Sequence, residues 1–251
     1  MSGDLTNDAF LGGKVHVLQP KRGFRSGIDA VMLAAAVPAQ AGDHVLELGC
    51  GVGVASLCLD ARIAGLGFTG VEVQPAYADL AAQNVASNGA TAQVICADLR
   101  ALPADLRQRQ FTHVMMNPPY FDRSHGHASH DAGRDVAMAG DTPLADWIDV
   151  GIKRLAPKGT LTIIQHIARL PEVLQAMTGR LGSVMIRPIA AHQDAAPGLF
   201  VCQAKHSGRA PFVLSKTWIM HGADAAKGDV ESYTPQTKAI LRNAASFPMC
   251  D

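Results

Sequence analysis

The sequence from residue 44 onward alternates short apolar runs with helix-forming stretches, and this alternation constrains the fold more than any other feature. Strands that alternate with helices build an open, mostly parallel sheet, because each helix returns the chain to the same end of the sheet. We therefore expect an α/β fold with a seven-stranded sheet and helices on both faces. The runs that predict its strands are 44–48, 68–73, 93–97, 111–116, 160–165, 183–190 and 199–206, with an additional strand over 212–220.

The segment before this alternation has a different character. A short β run at 15–18 and an apolar helix over 29–37 precede the first strand of the sheet. We assign residues 1–40 as an N-terminal extension that packs on a single domain formed by residues 41–251. Helices of that domain are predicted by periodicity, by prolines in first turns and by the Asn88-Gly89 stop, at 54–64, 75–88, 143–155, 171–181 and 235–246.

A glycine-rich turn, Gly49-Cys50-Gly51-Val52-Gly53, follows the first of these strands. Glycines at a strand-to-helix junction let a ligand approach the backbone, and the helix N-terminus presents free N–H groups. Glu72 ends the next strand, 19 residues after Gly53. That is the position of the acidic residue that binds ribose hydroxyls in nucleotide-binding α/β folds.

Two classes of cofactor suit a turn of this kind. An NAD or FAD site requires Gly-x-Gly-x-x-Gly, and Ser56 stands where that pattern needs its third glycine. S-adenosylmethionine has no phosphate, and its ammonium and adenine amino groups favour carboxylates and carbonyls. Because Glu47 precedes the turn, Glu72 ends the second strand and Asp98 ends the third, the pattern favours S-adenosylmethionine.

The tetrapeptide Asn117-Pro118-Pro119-Tyr120 ends the strand over 111–116. Proline has a φ fixed at about −65° and no amide hydrogen, so this turn offers hydrogen-bond acceptors more than donors. A conjugated amine such as N6 of adenine presents two hydrogens that need such acceptors. The alternative is a plain strand-ending turn, because Asn and Pro are common in turns.

Charge is balanced over the whole chain but unevenly distributed along it. Residues 1–150 carry a net charge of −6, whereas residues 151–220 carry nine basic against two acidic residues, a net charge of +7. An asymmetry of this kind indicates either a face for a polyanion such as RNA or charges spread around a solvated surface. The sequence leaves both interpretations open.

Composition restricts the location we expect. No apolar run approaches the ~18 residues of a membrane span, and the N-terminus lacks a secretory pattern. The five cysteines include no Cys-x-x-Cys pair, which is typical of small buried residues in a reducing compartment. We expect a cytoplasmic protein without a membrane partner, and either a monomer or a homodimer.

These motifs resemble the class I S-adenosylmethionine-dependent methyltransferases of the Asn-Pro-Pro-Tyr amino-methylating group, and more narrowly the bacterial tRNA1(Val) adenine N6-methyltransferases. The resemblance covers most of the chain and includes the segment Gln-Pro-Lys-Arg-Gly-Phe-Arg-Ser-Gly-Ile-Asp-Ala-Val-Met-Leu at 19–33. It implies a Rossmann-like methyltransferase fold, S-adenosylmethionine as cofactor, a tRNA substrate and no metal.

The resemblance also implies roles for individual residues. The Asn117 side-chain oxygen and the Pro118 carbonyl accept the two amino hydrogens, and Tyr120 stacks on the base, which makes these three the catalytic residues. Arg25, Asp29 and Phe121 are candidate substrate contacts, with a helix cap as the alternative role of Asp29. The cofactor contacts are Glu47, Gly49, Cys50, Gly51, Gly53, Glu72, Val73, Asp98, Leu99 and Asn117.

Three other enzymatic or binding functions compete with this interpretation. A protein glutamine N5-methyltransferase uses the same geometry on a side-chain amide. A DNA adenine methyltransferase needs a target-recognition domain, for which 251 residues leave little room. A cofactor-binding module without turnover has no chemical need for Asn117 and Tyr120.

Two further clusters have simpler interpretations. His125, His127 and His130 lie in a polar loop over 122–140, but their spacing fits no standard metal site, so we expect a substrate-facing lid instead. Lys21, Arg22 and Arg25 either contact phosphate or lie on a solvated hairpin. Trp147 and Trp218 are expected to pack in the core or at an interface.

Overall fold

A computed structural model describes residues 4–120, 142–222 and 232–251. Within these residues the chain forms a nine-stranded sheet and a separate two-stranded hairpin. The strands are β1 (Leu5–Phe10), β2 (Val15–Pro20), β3 (His44–Leu48), β4 (Gly67–Glu72), β5 (Ala92–Cys96), β6 (Phe111–Met116), β7 (Leu155–His166), β8 (Leu181–Ala190), β9 (Leu199–His206), β10 (Val213–Leu214) and β11 (Trp218–Ile219). The described α-helices are α1 (Ile28–Ala36), α2 (Val54–Arg62), α3 (Pro75–Ser87), α4 (Ala104–Gln108), α5 (Leu144–Arg154), α6 (Leu170–Met177) and α7 (Pro235–Asn243).

The order of the strands confirms the predicted mostly parallel α/β sheet, but the expected number of seven strands was wrong, because β10 and β11 add two short strands beside β8. The large sheet runs β10-β8-β9-β7-β6-β3-β4-β5, with β11 also paired to β8. All pairings in it are parallel except those of β9, which runs antiparallel to both β7 and β8. The carboxyl ends of β3, β4, β5, β6 and β7 therefore meet at one edge of the sheet, where ligands bind in open α/β folds.

The expected single strand over 212–220 was wrong, because the structure has two strands of two residues there. Pro188 of β8 explains the break. Val213 and Leu214 pair with β8 before this proline, and Trp218 and Ile219 pair with β8 after it. Proline has no amide hydrogen to donate, so pairing on this side of β8 is interrupted at Pro188 and resumes after it.

Side-chain alternation in the strands separates two apolar layers. In β3, Val45 belongs to the layer under α1, α2, α3 and α7, whereas Leu46 and Leu48 belong to the layer under α4, α5 and α6. Helices thus cover both faces, as the sequence predicts. None of the described helices is long and apolar enough to cross a membrane.

The N-terminal extension is continuous with the first of these layers. Residues 30–36 of α1 and Val37, which follows it, are all buried and belong to the same apolar cluster as α2. Strand β1 was not predicted, because its Thr-Asn-Asp centre is poor in strand-forming residues. It forms because β2 pairs with it antiparallel along its full length.

Candidate functional site

A cavity of about 770 Å³ lies at the carboxyl edge of the sheet. The segments that follow β3, β4, β5 and β6 form one side of it, and the loop over 21–27 forms another. Of the predicted site residues, those that line this cavity are Arg25, Asp29, Glu47, Gly49, Cys50, Gly51, Glu72, Val73, Asp98, Leu99, Asn117, Pro118 and Tyr120. Gly53 is not among the lining residues, and Phe121 and the loop over 122–140 lie outside the described residues.

The glycine turn adopts a backbone that side chains disfavour. Gly49 and Gly51 have φ values of 68° and 54°, in the left-handed region. A Cβ at Gly49 would also lie 2.5 Å from the Trp147 ring, which fills the space beside the turn and lines the cavity. Trp147 therefore packs, as expected, and also forms part of the site. Gly53, two residues after Gly51, is the N-cap of α2 and has φ 89°.

Glu47 connects β3 to the first turn of α2. Its Oε2 accepts hydrogen bonds from the Ser56 backbone N–H at 3.1 Å and from the Ser56 hydroxyl at 2.5 Å. Only 4% of Glu47 is exposed, and this burial raises the pKa of its carboxyl to about 8. Glu47 lies in the wall of the cavity. A cation bound beside its carboxyl would therefore stabilise the ionised form.

Glu72 organises the glycine turn from the neighbouring strand. Its Oε2 accepts from the Gly51 N–H at 3.0 Å and its Oε1 from the Gln74 N–H at 2.9 Å. Burial raises the pKa of this carboxyl as well. A carboxylate has about four acceptor positions, so the Glu72 carboxyl keeps capacity for a ligand.

Asp98 has a cation of its own. The Arg100 guanidinium donates to both carboxylate oxygens, with Nη2 2.8 Å from Oδ2, and it holds the pKa of Asp98 below its usual value. Arg100 also lines the cavity, and sequence reasoning missed it. Nothing in the spacing distinguishes this arginine from Arg107 and Arg109, which do not line the cavity.

The Asn-Pro-Pro-Tyr turn is held from two sides. Tyr120 donates its hydroxyl to Asp29 of α1. Burial raises the pKa of Tyr120, with the Asp29 charge adding to the effect, and burial also raises the pKa of Asp29. Asp29 is not the helix cap, because Gly27 occupies that position, so the alternative role of Asp29 as a cap was wrong.

On the other side, two backbone carbonyls of the turn accept hydrogen bonds from side chains on β7 and in the segment that follows it. Gln165 Nε2 donates to the Pro118 carbonyl at 3.1 Å, and Arg169 Nη1 donates to the Pro119 carbonyl at 3.0 Å. The Asn117 side-chain oxygen is buried and has no hydrogen-bond partner among the described residues. An unpaired buried acceptor costs free energy unless a ligand satisfies it.

Arg25 lines the cavity, but its guanidinium turns back to the hairpin. It donates to Asp8 at 2.5 Å, to the Thr6 hydroxyl and to the Pro20 carbonyl. The neighbouring Arg22 is exposed and forms no ion pair among residues 4–120, 142–222 and 232–251.

Four of the nine basic residues over 151–220 form ion pairs among the described residues. Lys153 and Arg180 pair with Asp149, Arg169 with Glu172 and Arg187 with Asp251. The cations that line the cavity come from earlier in the chain, namely Lys21, Arg22, Arg25 and Arg100.

In the described part of the chain, no group of three or more His, Cys, Asp or Glu residues could hold a metal ion. The histidines at 125, 127 and 130 lie outside that part.

Comparison with protein families gives a match to the methyltransferase small domain over residues 26–186. Among curated relatives, the tRNA1(Val) (adenine(37)-N6)-methyltransferase of Porphyromonas gingivalis (strain ATCC 33277) is 28% identical over 233 residues, which cover 87% of this chain and 90% of the relative. The enzyme of the same name from Bacteroides fragilis (strain ATCC 25285) is 27% identical over 151 residues. That match covers 59% of this chain and 62% of the length of the relative.

Solved structures with the same fold include a predicted O-methyltransferase from Agrobacterium tumefaciens. Its TM-score is 0.71 at 22% identity, and the match covers 87% of this chain and 98% of that one. A 16S rRNA N2 methyltransferase of T. thermophilus, solved with AdoMet and guanosine, has a TM-score of 0.54 at 21% identity and covers 80% and 50% of the two chains. At these identities the likeness shows the fold alone.

Proposed function

This chain belongs to the methyltransferase small domain family, and from that premise we propose that it is an S-adenosylmethionine-dependent N-methyltransferase acting on adenine N6 of a tRNA. The observation that carries the proposal is the meeting of the glycine turn, Glu72 and Asn117 in one cavity. Each lies at the carboxyl end of a different strand, so this edge of the sheet brings a nucleoside-binding pattern and an amine-accepting turn together.

The cavity suits the proposed cofactor in size and in chemistry. Its volume of about 770 Å³ lies within the range of roughly 300–1,000 Å³ that is typical of small-molecule sites. When bound, S-adenosylmethionine supplies an electrophilic methyl group on a sulfonium. The buried carboxyls of Glu47 and Glu72 offer acceptors to hydroxyl and ammonium groups, and the glycine turn leaves the backbone open to close approach.

Asn117 provides the chemistry at the amine end of the site. Its side-chain oxygen is buried and lacks a partner among the described residues, and an N–H of the substrate amine would satisfy it. The Pro118 carbonyl uses one lone pair for Gln165 and keeps the other for a second N–H. These fixed acceptors favour a nitrogen on which positive charge develops, and so stabilise the transition state more than the ground state.

Tyr120 gives the site a surface for a planar substrate. Its hydroxyl is anchored on Asp29, which fixes one end of the ring. Stacking of a base on an aromatic side chain contributes roughly 1–3 kcal/mol. An adenine in an anticodon loop must leave its stack to reach such a pocket. The names of the curated relatives support tRNA as the source of that adenine.

A parallel labelling experiment tests this function. The protein is incubated with labelled S-adenosylmethionine and, separately, with unmodified tRNA, duplex DNA and a release factor, and products are identified by mass spectrometry. We expect label only in tRNA, as N6-methyladenosine. Label only in the release factor would identify a glutamine N5-methyltransferase, and label only in DNA a DNA adenine methyltransferase. Absence of label in all three would favour a binding module without turnover.

The variant Asn117→Ala connects this activity to the site. Loss of its acceptor should lower kcat by about 100-fold or more, the range observed when one transition-state hydrogen bond is removed. Cofactor affinity, measured by calorimetry, should fall less in Asn117→Ala than in Glu72→Ala, because Glu72 also holds the glycine turn. Methylation by Asn117→Ala at the wild-type rate would contradict the proposed role.

A further inference from the structure

The Asn-Pro-Pro-Tyr turn depends on side chains that lie far from it in sequence. Gln165, at the end of β7, is 0% exposed and donates to the Pro118 carbonyl. Its other amide atom, Oε1, accepts from the His166 N–H at 2.8 Å. Because one partner only accepts and the other only donates, the orientation of the amide is determined without ambiguity. A single buried amide thus joins the turn after β6 to the end of β7.

Arg169 holds the next peptide of the turn in the same way. Its Nη1 donates to the Pro119 carbonyl, while its Nε and Nη2 each lie 2.9 Å from a carboxylate oxygen of Glu172. The bidentate ion pair restricts the guanidinium, so the hydrogen bond to Pro119 comes from a donor with a fixed direction.

We propose that Gln165 and Arg169 are positioning residues for methyl transfer, which fix the Pro118 and Pro119 carbonyls and so hold the Asn117 and Pro118 acceptors in register with the cavity. This inference rests on the proposed function. Prolines cannot anchor a turn through their own amides, because they have none. Two carbonyls and the Tyr120 hydroxyl are therefore the groups through which this turn is held, and each has a side-chain partner.

The effect on catalysis follows from the tolerance of such sites. A displacement of about 1 Å at a reacting centre can cost about 100-fold in rate. Gln165→Leu removes the donor to Pro118 and frees the turn to move, so kcat should fall by about that factor. The glycine turn and Glu72 are untouched, so cofactor affinity should not change. A residue with only a structural role would instead lower the amount of folded protein and leave kcat per folded molecule unaltered.

The variant Gln165→Glu separates positioning from packing. The introduced carboxyl is nearly isosteric and can still accept from the His166 N–H. When protonated it can donate to Pro118, and when ionised it cannot. Burial raises the pKa of a carboxyl, so the ratio of variant to wild-type kcat should rise as the pH is lowered through the pKa of the introduced group. This pH dependence would be a rescue that a packing role does not predict.

Gln203 provides the matched control. It is 3% exposed, lies on β9 of the same sheet and donates its Nε2 to the Ala36 carbonyl, away from the turn. Gln203→Glu should lower thermal stability and leave both kcat per folded molecule and its pH profile as in the wild type. Arg169→Lys keeps the charge but not the forked geometry, and should lower kcat about tenfold, as expected for one lost hydrogen bond.

The outcomes are distinct. The positioning role is overturned by a folded Gln165→Leu protein with wild-type kcat, or by a Gln165→Glu variant whose relative activity is independent of pH. In either case, methylation by the wild-type protein leaves the proposed function intact. Failure of the wild-type protein to methylate any of the three substrates overturns the proposed function and this inference with it.

Discussion

Single carboxyl groups connect the parts of the site to one another. Glu47 holds the first turn of α2 through Ser56, and Glu72 holds the glycine turn through Gly51. Asp29 holds Tyr120 across the cavity. In all three, burial raises the pKa of the carboxyl, because the ionised form loses hydration in the folded protein. Stability and ligand binding are therefore coupled at these residues.

Glu47 predicts a specific dependence of stability on pH. Its carboxyl has a pKa of about 8 in the folded protein against 4.5 in its ordinary state. Between these values the folded chain binds a proton that the unfolded chain has lost, so the free energy of unfolding falls as the pH rises. Glu47→Gln removes this dependence. In urea titrations, the stability of the wild type relative to this variant should decrease from pH 4.5 to pH 8.

Asp98→Asn serves as a control of opposite sign. Arg100 lowers the pKa of Asp98, so the carboxylate contributes stability at neutral pH that is lost as the pH falls. The destabilisation caused by Asp98→Asn should therefore disappear in acid. A wild type and a Glu47→Gln variant with parallel pH profiles would contradict the assignment of a raised pKa to Glu47.

At the scale of elements, helix α3 substitutes for a strand beside the hairpin. Asn84 Oδ1 accepts from the Leu18 N–H at 2.8 Å, and Asn84 Nδ2 donates to the Leu18 and Val52 carbonyls at 3.0 Å. Asn88, one turn later, makes the same exchange with His16. The amides of Asn84 on α3 and of Asn88 at its C-cap therefore pair with the open edge of β2 and attach the hairpin to the domain.

Asn84→Ala tests this attachment. Asn84 is fully buried, and its removal leaves one backbone N–H and two carbonyls without their partner. The free energy of unfolding should fall by about 2–4 kcal/mol, given about 1–3 kcal/mol for each buried group left unsatisfied. Asn88→Ala, whose contacts are more exposed, should cost less than about 1 kcal/mol. Equal effects in urea denaturation would contradict this account.

Local sequence predicted the elements whose information is local. Strands β3, β6 and β9 have the predicted bounds, because continuous apolar runs and adjacent turn residues specify them. Strand β1 and the division of 212–220 into β10 and β11 were missed. Both depend on a partner strand, since β1 needs the edge of β2 and the division comes from Pro188 on β8.

For the whole molecule, the distribution of charge decides where a polyanion can bind. Four of the nine basic residues over 151–220 are paired with Asp149, Glu172 and Asp251, and no residue of that stretch lines the cavity. The loop over 21–25, which lines the cavity, presents Arg22 without an ion pair among the described residues. A tRNA whose adenine enters the cavity would bring its phosphates to this loop and not to the amino edge of the sheet.

Arg22→Glu and Lys158→Glu form a matched pair for this prediction. Both residues are exposed, but Lys158 lies near the start of β7, at the edge opposite the cavity. Arg22→Glu should weaken tRNA binding. The slope of the logarithm of the tRNA association constant against the logarithm of salt concentration should become shallower by about 1, as expected for one lost phosphate contact. Lys158→Glu should bind as the wild type does. Equal losses in salt-dependent binding assays would place the RNA elsewhere.

The sequence by itself determined the strand–helix alternation, the glycine turn with its acidic partners, and the acceptor-rich turn after β6, because each lies within a short stretch of chain. Tertiary structure alone decided how that last turn is held. Gln165 lies 47 residues from Pro118 and Asp29 lies 91 residues from Tyr120. No local pattern specifies such pairs, since they exist only once parallel pairing of β6 with β7 and packing of α1 bring distant segments to the same edge.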